Sequence, residues 1–366
     1  MHSNARKHFL ALAALSTLSM ASSSAFAQSP EFNWYGRIDL ALEQNNDGDT
    51  SRMSVNNFIS RIGLRGEHKV SPAFSGIFQV ETAIAPDDSG NSKAFASRNS
   101  FVGIKSGAAG TLILGNHDMP LKTLGGGAYN LWAQGDLEEV IIHGKASRVA
   151  IGSANFDNVH TRKTSMLQYT SPKLANAVVA KLAFAPDEGK KAATATVPAY
   201  GKAMWGASVE YNDGMFNAGL ATQSQANYIA PTATADGSAM KAHKAVLGIK
   251  VADFTGGLLF SRLDNSAGRK TSNLMATGAY ALGATTLRLS LGRSGESADN
   301  AKDAVSATAL QVDHAFDKSL AVYGYFARLQ NDDNAKGTFV ASDNFPAVTA
   351  AGKDPRAFGV GLRYNF

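Results

Sequence analysis

The residues that could do chemistry in this chain are charged side chains, because the usual nucleophile and metal-ligand patterns do not occur. The 366 residues include no cysteine, which excludes thiol catalysis, disulfides and thiolate metal sites. No Gly-x-Ser-x-Gly nucleophile motif is present. His68, His117, His143 and His160 lack paired ligand spacing, and the glycines at 125–127 are not followed by the Lys-Ser/Thr of a phosphate loop. We therefore expect noncovalent electrostatic chemistry, no enzyme, no metal and no cofactor.

Four arginines are the candidate positive groups. Arg37, Arg61 and Arg65 each stand beside apolar residues in segments where polar and apolar side chains alternate, so they share the polar face of a predicted strand. Arg98 is a fourth candidate, and the sequence does not determine which face it occupies. Such a row of guanidinium groups attracts anions wherever it lines a water-filled passage.

Three carboxylates are the candidate negative groups, and they lie in an unusually long polar connection, Asp118–His160. Asp136, Glu138 and Glu139 would create a transverse electric field if this segment folded back opposite the arginines. Such a field orients dipolar solutes and biases the passage of ions. The alternative is that these three acids are ordinary solvated loop charges.

The elements that must position these charges are strands, because the dominant period of the sequence is two. In Tyr35–Glu43 the residues Ile38, Leu40 and Leu42 share one face. The same alternation recurs at 61–67, 78–81, 178–184, 247–251, 287–291, 310–313 and 358–366. Many segments reach about 9–12 residues, enough for a tilted strand to cross a bilayer. Repeated charge on the second face is incompatible with a dry core. The pattern predicts an all-β fold, an antiparallel transmembrane β-barrel of about sixteen strands.

The predicted strands are joined by alternating short and long connections. Short turns such as Ser71-Pro72 and the segment 212–214 alternate with long polar segments such as Asn46–Val55 and 331–354. Short turns on one side and long loops on the other are typical of outer-membrane barrels. Both chain ends are predicted on the short-turn side.

The two ends of the chain carry export and assembly features. Arg6 and Lys7 precede a short apolar run, and the sequence around Ala27 fits signal-peptidase cleavage. This predicts a cleaved signal peptide at 1–27 and a barrel at 28–366. A membrane anchor is the alternative, but the apolar run is too short to span a bilayer.

Without Arg6 and Lys7, the chain has 33 basic and 30 acidic residues, which gives a formal net charge of +3. This mild charge, without a basic stripe, does not suggest nucleic acid.

The last residues alternate strictly, with Leu362, Tyr364 and Phe366 on one face. A terminal aromatic on such a strand resembles the signal recognised by the bacterial barrel-insertion machinery. The alternative is that Phe366 is merely the last hydrophobic residue of a strand.

Several segments resemble Gram-negative trimeric porins of the β-proteobacterial type, which are general-diffusion outer-membrane porins. The matching segments are Asn33–Asp39, Ser60–Gly66, Phe101–Lys105, Gly110–Lys122, Phe156–Asn158 and Tyr169–Pro172. The resemblance implies a sixteen-stranded homotrimer in the outer membrane, with an inward-folded constriction loop in the region 118–160. It also implies passive diffusion of small hydrophilic solutes and inorganic ions.

The resemblance further implies that Arg37, Arg61 and Arg65 occupy wall strands where family members keep basic pore residues. One departure concerns Asn116-His117, which stands where the family often has an Arg-Gln pair. The predicted wall carries six bases and five acids, which predicts a weak anion preference: Arg37, Arg61, Arg65, Lys181, Lys250 and Arg288 against Asp39, Glu43, Glu67, Glu81 and Asp313. The alternatives are a substrate-specific channel and a barrel adhesin or receptor with a plugged lumen.

Overall fold

The computed structural model describes residues 31–87, 94–125, 159–187, 189–266, 268–339 and 348–366. Strands make up most of this part of the chain, together with one short helix, α1 (Pro120–Thr123). The strands are β1 (Glu31–Asn46), β2 (Ser51–Asn57), β3 (Arg61–Lys69), β4 (Ser75–Ala83), β5 (Ser100–Ser106), β6 (Gly110–Asp118), β7 (Arg162–Thr170), β8 (Val178–Ala185), β9 (Met204–Asn212), β10 (Phe216–Ile229), β11 (Ser238–Val251), β12 (Phe254–Asp264), β13 (Lys270–Leu282), β14 (Thr285–Ser294), β15 (Val305–Ala315), β16 (Leu320–Asn331) and β17 (Arg356–Asn365).

The strands form one closed antiparallel sheet. β1 pairs with β2, each strand from β3 onward pairs with the next along the chain, and β17 pairs back with β1, from Arg37 opposite Asn365 to Asn46 opposite Arg356. Strands β2 and β3 both pair with β1, at successive positions along it. They are two halves of one barrel strand, so the barrel has the sixteen strands that the sequence predicts.

The break between β2 and β3 lies at residues 58–60, where three residues face two on β1. The backbone N–H of Phe58 donates to the Asp39 carbonyl at 2.8 Å, and the N–H of Asp39 donates to the Ser60 hydroxyl at 2.9 Å. Ile59 has a φ of 61°, which lies in the left-handed region. The local bulge turns the Phe58 side chain into the barrel, where it is buried.

The outer face of the barrel is apolar, as the alternation predicts. Large hydrophobic side chains point outward from strands around the whole sheet; examples are Leu42 at 55% exposed, Leu220 at 62% and Leu362 at 58%. A continuous apolar belt of this kind is far larger than the apolar patches found on the surfaces of soluble proteins. Lipid accommodates it, because closure of the sheet satisfies the backbone hydrogen bonds. In the described ranges, no helix is long and apolar enough to cross a membrane.

Long and short connections lie at opposite ends of the barrel, and both Glu31 and Phe366 are at the short-turn end.

The prediction of a long loop at Asn46–Val55 was wrong, because β1 and β2 continue to a four-residue hairpin turn at 47–50. The Asp47 carboxylate accepts the N–H groups of Asp49 at 2.9 Å and Thr50 at 2.8 Å. These bonds lower the pKa of Asp47. Polar residues extend the strands here because the hairpin rises beyond the apolar belt.

The seam where the sheet closes is bridged inside the barrel by two tyrosines of β16. The Tyr323 hydroxyl donates to Asp39 Oδ1 at 2.6 Å, and the Tyr325 hydroxyl donates to Glu43 on the same strand, β1. Both rings cross β17 at a glycine, Gly361 under Tyr323 and Gly359 under Tyr325. The bridge therefore ties β16 to β1 across the last strand of the barrel.

A third tyrosine makes the same crossing on the other side of β1. Tyr35 passes over Gly63 of β3, and its hydroxyl donates to Glu81 Oε2 of β4 at 3.0 Å. We call these three arrangements the tyrosine crossings. They fix the carboxylates of Asp39, Glu43 and Glu81 on the inner wall, and they connect the strands on both sides of the seam.

The tyrosine crossings predict that replacing Gly361 with alanine destabilises the barrel. A Cβ at this position would overlap the Tyr323 ring, so we expect the free energy of unfolding to fall by roughly 1–3 kcal/mol. Urea unfolding in detergent, followed by the gel mobility of unheated samples, measures this change. Gly324→Ala is the matched control, because Gly324 faces outward and has its nearest neighbour at 3.9 Å; we expect a change below about 0.5 kcal/mol. Equal stability of the two variants would contradict the role of the crossing.

Candidate pore site

Two arginines face each other directly on the inner wall. Arg37 of β1 is the cross-strand partner of Arg61 of β3, and Arg37 Nε donates to Asn365 Oδ1 at 2.9 Å. Like charges directly opposite each other on a sheet are unfavourable. This position on the wall is therefore a site of concentrated positive potential.

Glu81 is the carboxylate nearest to this pair. Its carboxylate receives Arg98 Nε at 2.5 Å and lies 3.6 Å from Arg61 Nε, in addition to the Tyr35 hydroxyl. Arg98, whose face the sequence leaves open, thus lies on the inner wall. Because one carboxylate is shared between two guanidinium groups, a positive charge remains at this point.

A second ion-pair network lies beside it, across the seam. Arg363 of β17 contacts Asp39 at 2.7 Å and Asp313 at 3.5 Å, and Arg288 of β14 contacts Asp313 at 2.5 Å. The guanidinium of Arg363 also lies over the Tyr323 ring, with its carbon 4.9 Å from the centroid. Arg363 was not among the pore residues predicted from the sequence. Its position between Leu362 and Tyr364 in the terminal alternating strand was a readable signal that it points inward.

Arg65 lies closer than Arg61 to the short-turn end of β3, and its side chain is exposed to the lumen. Its guanidinium carbon is 5.1 Å from the centroid of the Tyr35 ring, a cation–π contact. No ion pair with a carboxylate is found for Arg65 or Arg37 in the part of the chain that the structure describes.

Together these side chains define the arginine cluster, the positive part of the site: Arg37, Arg61, Arg65, Arg98, Arg288 and Arg363. Three carboxylates, Asp39, Glu81 and Asp313, contact it. The sequence predicted four of the six arginines as pore groups and counted Arg288 among the wall bases. The structure brings them together at the seam, where the tyrosine crossings hold two of the three acids.

The start of the segment 118–160 lies inside the barrel. Helix α1 follows β6 directly, and Leu121 and Leu124 are buried. Leu124 packs on the inner wall at Gly219, where an added Cβ would come within 2.5 Å of it. Lys244 Nζ donates to the Leu121 carbonyl at 3.0 Å.

A second lysine holds the same segment from β8, since Lys181 Nζ donates to Thr123 Oγ1 at 3.0 Å. At the other end of the segment, Val159 and His160 are also buried. The predicted acids Asp136, Glu138 and Glu139 lie outside the described residues.

The departure at Asn116-His117 has a structural explanation. Asn116 Nδ2 donates to the backbone carbonyl of Arg98 at 2.9 Å, and His117 Nδ1 donates to the carbonyl of Asp118 at 2.9 Å. Asn116 therefore supports the backbone that carries Arg98, so the basic group of this region comes from the neighbouring segment.

The terminal residues Leu362, Tyr364 and Phe366 point outward, toward the apolar belt. Phe366 completes the pairing with β1, because its carbonyl accepts the N–H of Gly36 at 2.8 Å and its N–H donates to the Gly36 carbonyl at 3.1 Å. The Tyr364 and Phe366 rings are stacked, with centroids 6.4 Å apart. In the described ranges, no group of three potential metal-ligating side chains is found.

Solved porin structures are similar to this chain in fold. An anion-selective porin from Comamonas acidovorans is 22% identical with a TM-score of 0.72, and the match covers 92% of this chain and 100% of that one. The trimer form of OmpT from Vibrio cholerae is 16% identical with a TM-score of 0.61, covering 93% and 100%. OmpF from Salmonella typhi, in complex with daunomycin, is 14% identical with a TM-score of 0.63, covering 92% and 97%.

The sequence itself identifies the family. No curated protein sequence matches the chain, but the family model described as Gram-negative porin matches residues 11–334. This range covers most of the chain, and the closed sixteen-stranded barrel with charged residues on its inner wall agrees with it. The protein therefore belongs to the Gram-negative porin family, whose members are diffusion channels of the outer membrane.

Proposed function

We propose that this porin prefers anions weakly and that the arginine cluster is the group that produces the preference. The observation that carries the proposal is the direct opposition of Arg37 and Arg61 on the inner wall. Three carboxylates contact four of the six arginines in the cluster, so this part of the wall keeps an excess of positive charge. A permeating anion passing these groups lowers their mutual repulsion, whereas a cation increases it. The similarity to a porin whose description is anion-selective supports the same sign.

We also propose that the channel is narrowest between the arginine cluster and the segment 118–160. Helix α1 docks beside β8, β9 and β10, where Lys181 and Gly206 contact its residues. In a closed barrel of sixteen strands, β9 and β10 are about half a circumference from β1. The segment thus starts from the wall opposite Arg37 and Arg61. In this proposal Asp136, Glu138 and Glu139 face the arginines across the passage and moderate the anion preference.

Passive diffusion requires no covalent step, so the residues act by size exclusion and electrostatics alone. The ion pairs of Glu81 and the tyrosine crossings hold the guanidinium groups in fixed positions, and such preorganisation avoids a reorganisation cost each time an ion passes. Arg65, which is exposed and stacked on Tyr35, extends the positive surface toward the short-turn end. The wall therefore presents a series of anion contacts and no single strong binding site.

We further propose a homotrimer that reaches the outer membrane after removal of a signal peptide at 1–27. Leu362, Tyr364 and Phe366 are proposed as the signal for the barrel-insertion machinery. The solved trimer form of a protein with a similar fold supports the assembly, and the outward, exposed position of the terminal aromatics agrees with their recognition before insertion.

Charge removal at the cluster predicts a loss of anion preference. In planar bilayers under a KCl gradient, the wild-type reversal potential is expected to favour chloride. In Arg37→Gln the chloride-to-potassium permeability ratio should fall by about fivefold, the factor for ~1 kcal/mol of interaction between an ion and one wall charge. Arg293→Gln is the control, since Arg293 points outward on β14. An unchanged ratio in Arg37→Gln would make the cluster assignment wrong. The absence of conductance steps from an inserted wild-type barrel would favour a plugged receptor.

The shared carboxylate predicts the opposite effect. Glu81→Gln keeps the side-chain shape but leaves Arg98 and Arg61 without their negative partner, so the permeability ratio should shift toward chloride by a few-fold. The same reversal-potential measurement tests this, with Asp264→Asn as the control because Asp264 is paired with Lys270 on the outer face of β12. A shift toward potassium in Glu81→Gln would show that Glu81 does not set the charge of the passage.

Mass measurements test assembly and export together. Protein purified from outer membranes should give a denatured mass that corresponds to residues 28–366, and its native mass in mild detergent should be three times that value. Boiling should convert the native species to single chains. A retained leader would contradict the cleavage site after Ala27, and a native mass of one chain would contradict the trimer.

A further inference from the structure

A polar cavity lies on the inner wall at the long-loop end of β7–β10, apart from the arginine cluster. Ala185, Met204 and Gln225 form its back, because they are cross-strand partners in one inward-facing row. Its volume is about 360 Å³, within the range of sites that hold small ligands. On its short-turn side, Met119, which precedes α1, lies in one apolar cluster with Met166 and Met204. We call this cavity the vestibule pocket, since a solute entering from the long-loop side reaches it before α1.

Two β-bulges shape the vestibule pocket. Ser165 in β7 has a φ of 53° and lies where the pairing with β6 shifts register. The pairing of β10 with β11 shifts between Gln225 and Ile229, and Asn227 has a φ of 46°. Bulges interrupt the pairing and redirect side chains. Both bulges border the pocket, since Ser165 and Gln225 line it.

Gln225 presents a buried acceptor to the vestibule pocket. Its side chain is 5% exposed, and its Oε1 atom has no hydrogen-bond partner in the described ranges. A buried carbonyl oxygen without a donor costs free energy. A solute with an N–H or O–H group removes that cost when it donates to Oε1.

The charged lining residues that the structure describes have both signs. Lys163, at the start of β7, is half-buried, and Lys202 lies in the connection between β8 and β9. Asp187 lies in the same connection, and its carboxylate accepts the backbone N–H of Lys202 and, at 2.9 Å, that of Gly189. These bonds lower the pKa of Asp187, so Asp187 is negatively charged at neutral pH. The two ammonium groups and the one carboxylate leave one unit of positive charge in excess.

The bulged part of β10 holds the connection that carries Lys202. Lys202 Nζ donates to the Tyr228 carbonyl at 3.3 Å, and Asn227 Nδ2 donates to the Gly201 carbonyl at 2.8 Å. An ammonium group has three N–H donors, so Lys202 keeps donors for a solute. A side chain that is already held in place loses less conformational freedom on binding.

We propose that the vestibule pocket binds an acidic amino acid, a solute with two carboxylates and one ammonium group. The carboxylates contact Lys163 and Lys202, and the ammonium group donates to Gln225 Oε1 and faces Asp187. Such a solute carries one net negative charge at neutral pH, which complements the excess positive charge of the three side chains. Hydrogen bonds between charged groups are stronger than those between neutral ones. The site is separate from the arginine cluster and does not require the channel to prefer anions.

Saturation-transfer NMR of the folded protein in detergent measures this binding, with L-glutamate and glutarate as probes. Glutarate has the same two carboxylates but no ammonium group, so we expect it to bind about fivefold more weakly. Gln225→Leu removes the buried acceptor and should weaken L-glutamate binding by about fivefold, with little effect on glutarate. Gln330→Leu is the control, since Gln330 is exposed on the outer face of β16.

Two charge variants test the other contacts. Lys202→Gln should weaken binding of both probes by about threefold, whereas Lys241→Gln, on the outer face of β11 at the same end, should leave it unchanged. Asp187→Asn should reduce the preference for L-glutamate over glutarate, because it removes the charge that faces the ammonium group. If Gln225→Leu fails to fold, as shown by the gel mobility of unheated samples, this ratio tests recognition of the same ammonium group.

Each outcome has a definite meaning. Equal binding of the two probes by the wild type would overturn the amino acid assignment. The site would be overturned by an absence of saturation transfer to L-glutamate, or by equal losses in a variant and its control. The reversal potential of Gln225→Leu under a KCl gradient is expected to equal that of the wild type, so the vestibule pocket and the arginine cluster can fail independently.

Discussion

The structure depends on the closure of the sheet between its first and last strands. In a bilayer, an open edge would leave a row of unpaired backbone groups in hydrocarbon. Pairing of β1 with β17 removes that edge, and Tyr323 and Tyr325 hold β16 to β1 across the pair. The acids that accept these hydroxyls lie on the inner wall, and Asp39 in turn binds Arg363. The contacts that close the barrel thus also determine where the pore charges stand.

Much of the fold could be predicted from the alternation alone. A side-chain period of two assigns every residue of a strand to one face once a single residue is assigned, so Arg37, Arg61 and Arg65 were placed on the wall correctly. The same rule also assigns Arg363 to the inner wall, because its neighbours Leu362 and Tyr364 point outward. The comparison with solved porins illustrates how weakly the barrel constrains residue identity, since a structure with a TM-score of 0.72 is only 22% identical.

Other features could not be predicted because they depend on contacts between distant residues. The face of Arg98 is set by Glu81, on the preceding strand, and by Asn116 beneath its backbone. The bulge at residues 58–60 carries no glycine or proline that would mark it, and it forms because Ser60 and Phe58 bond to both sides of Asp39. The extended hairpin around Asp47 looked like a loop because its residues are polar. Strands that project into water do not need apolar side chains.

The attachment of helix α1 has a consequence for how changes at the wall lysines are interpreted. Lys181 donates to the Thr123 hydroxyl and Lys244 donates to the Leu121 carbonyl, so each lysine both carries a charge and holds the helix against the wall. Replacing either lysine removes a positive charge and an anchoring hydrogen bond in the same step. A change in ion selectivity after such a replacement therefore reports the position of the helix as well as the charge of the wall. Charge and shape are not independent variables in this part of the channel.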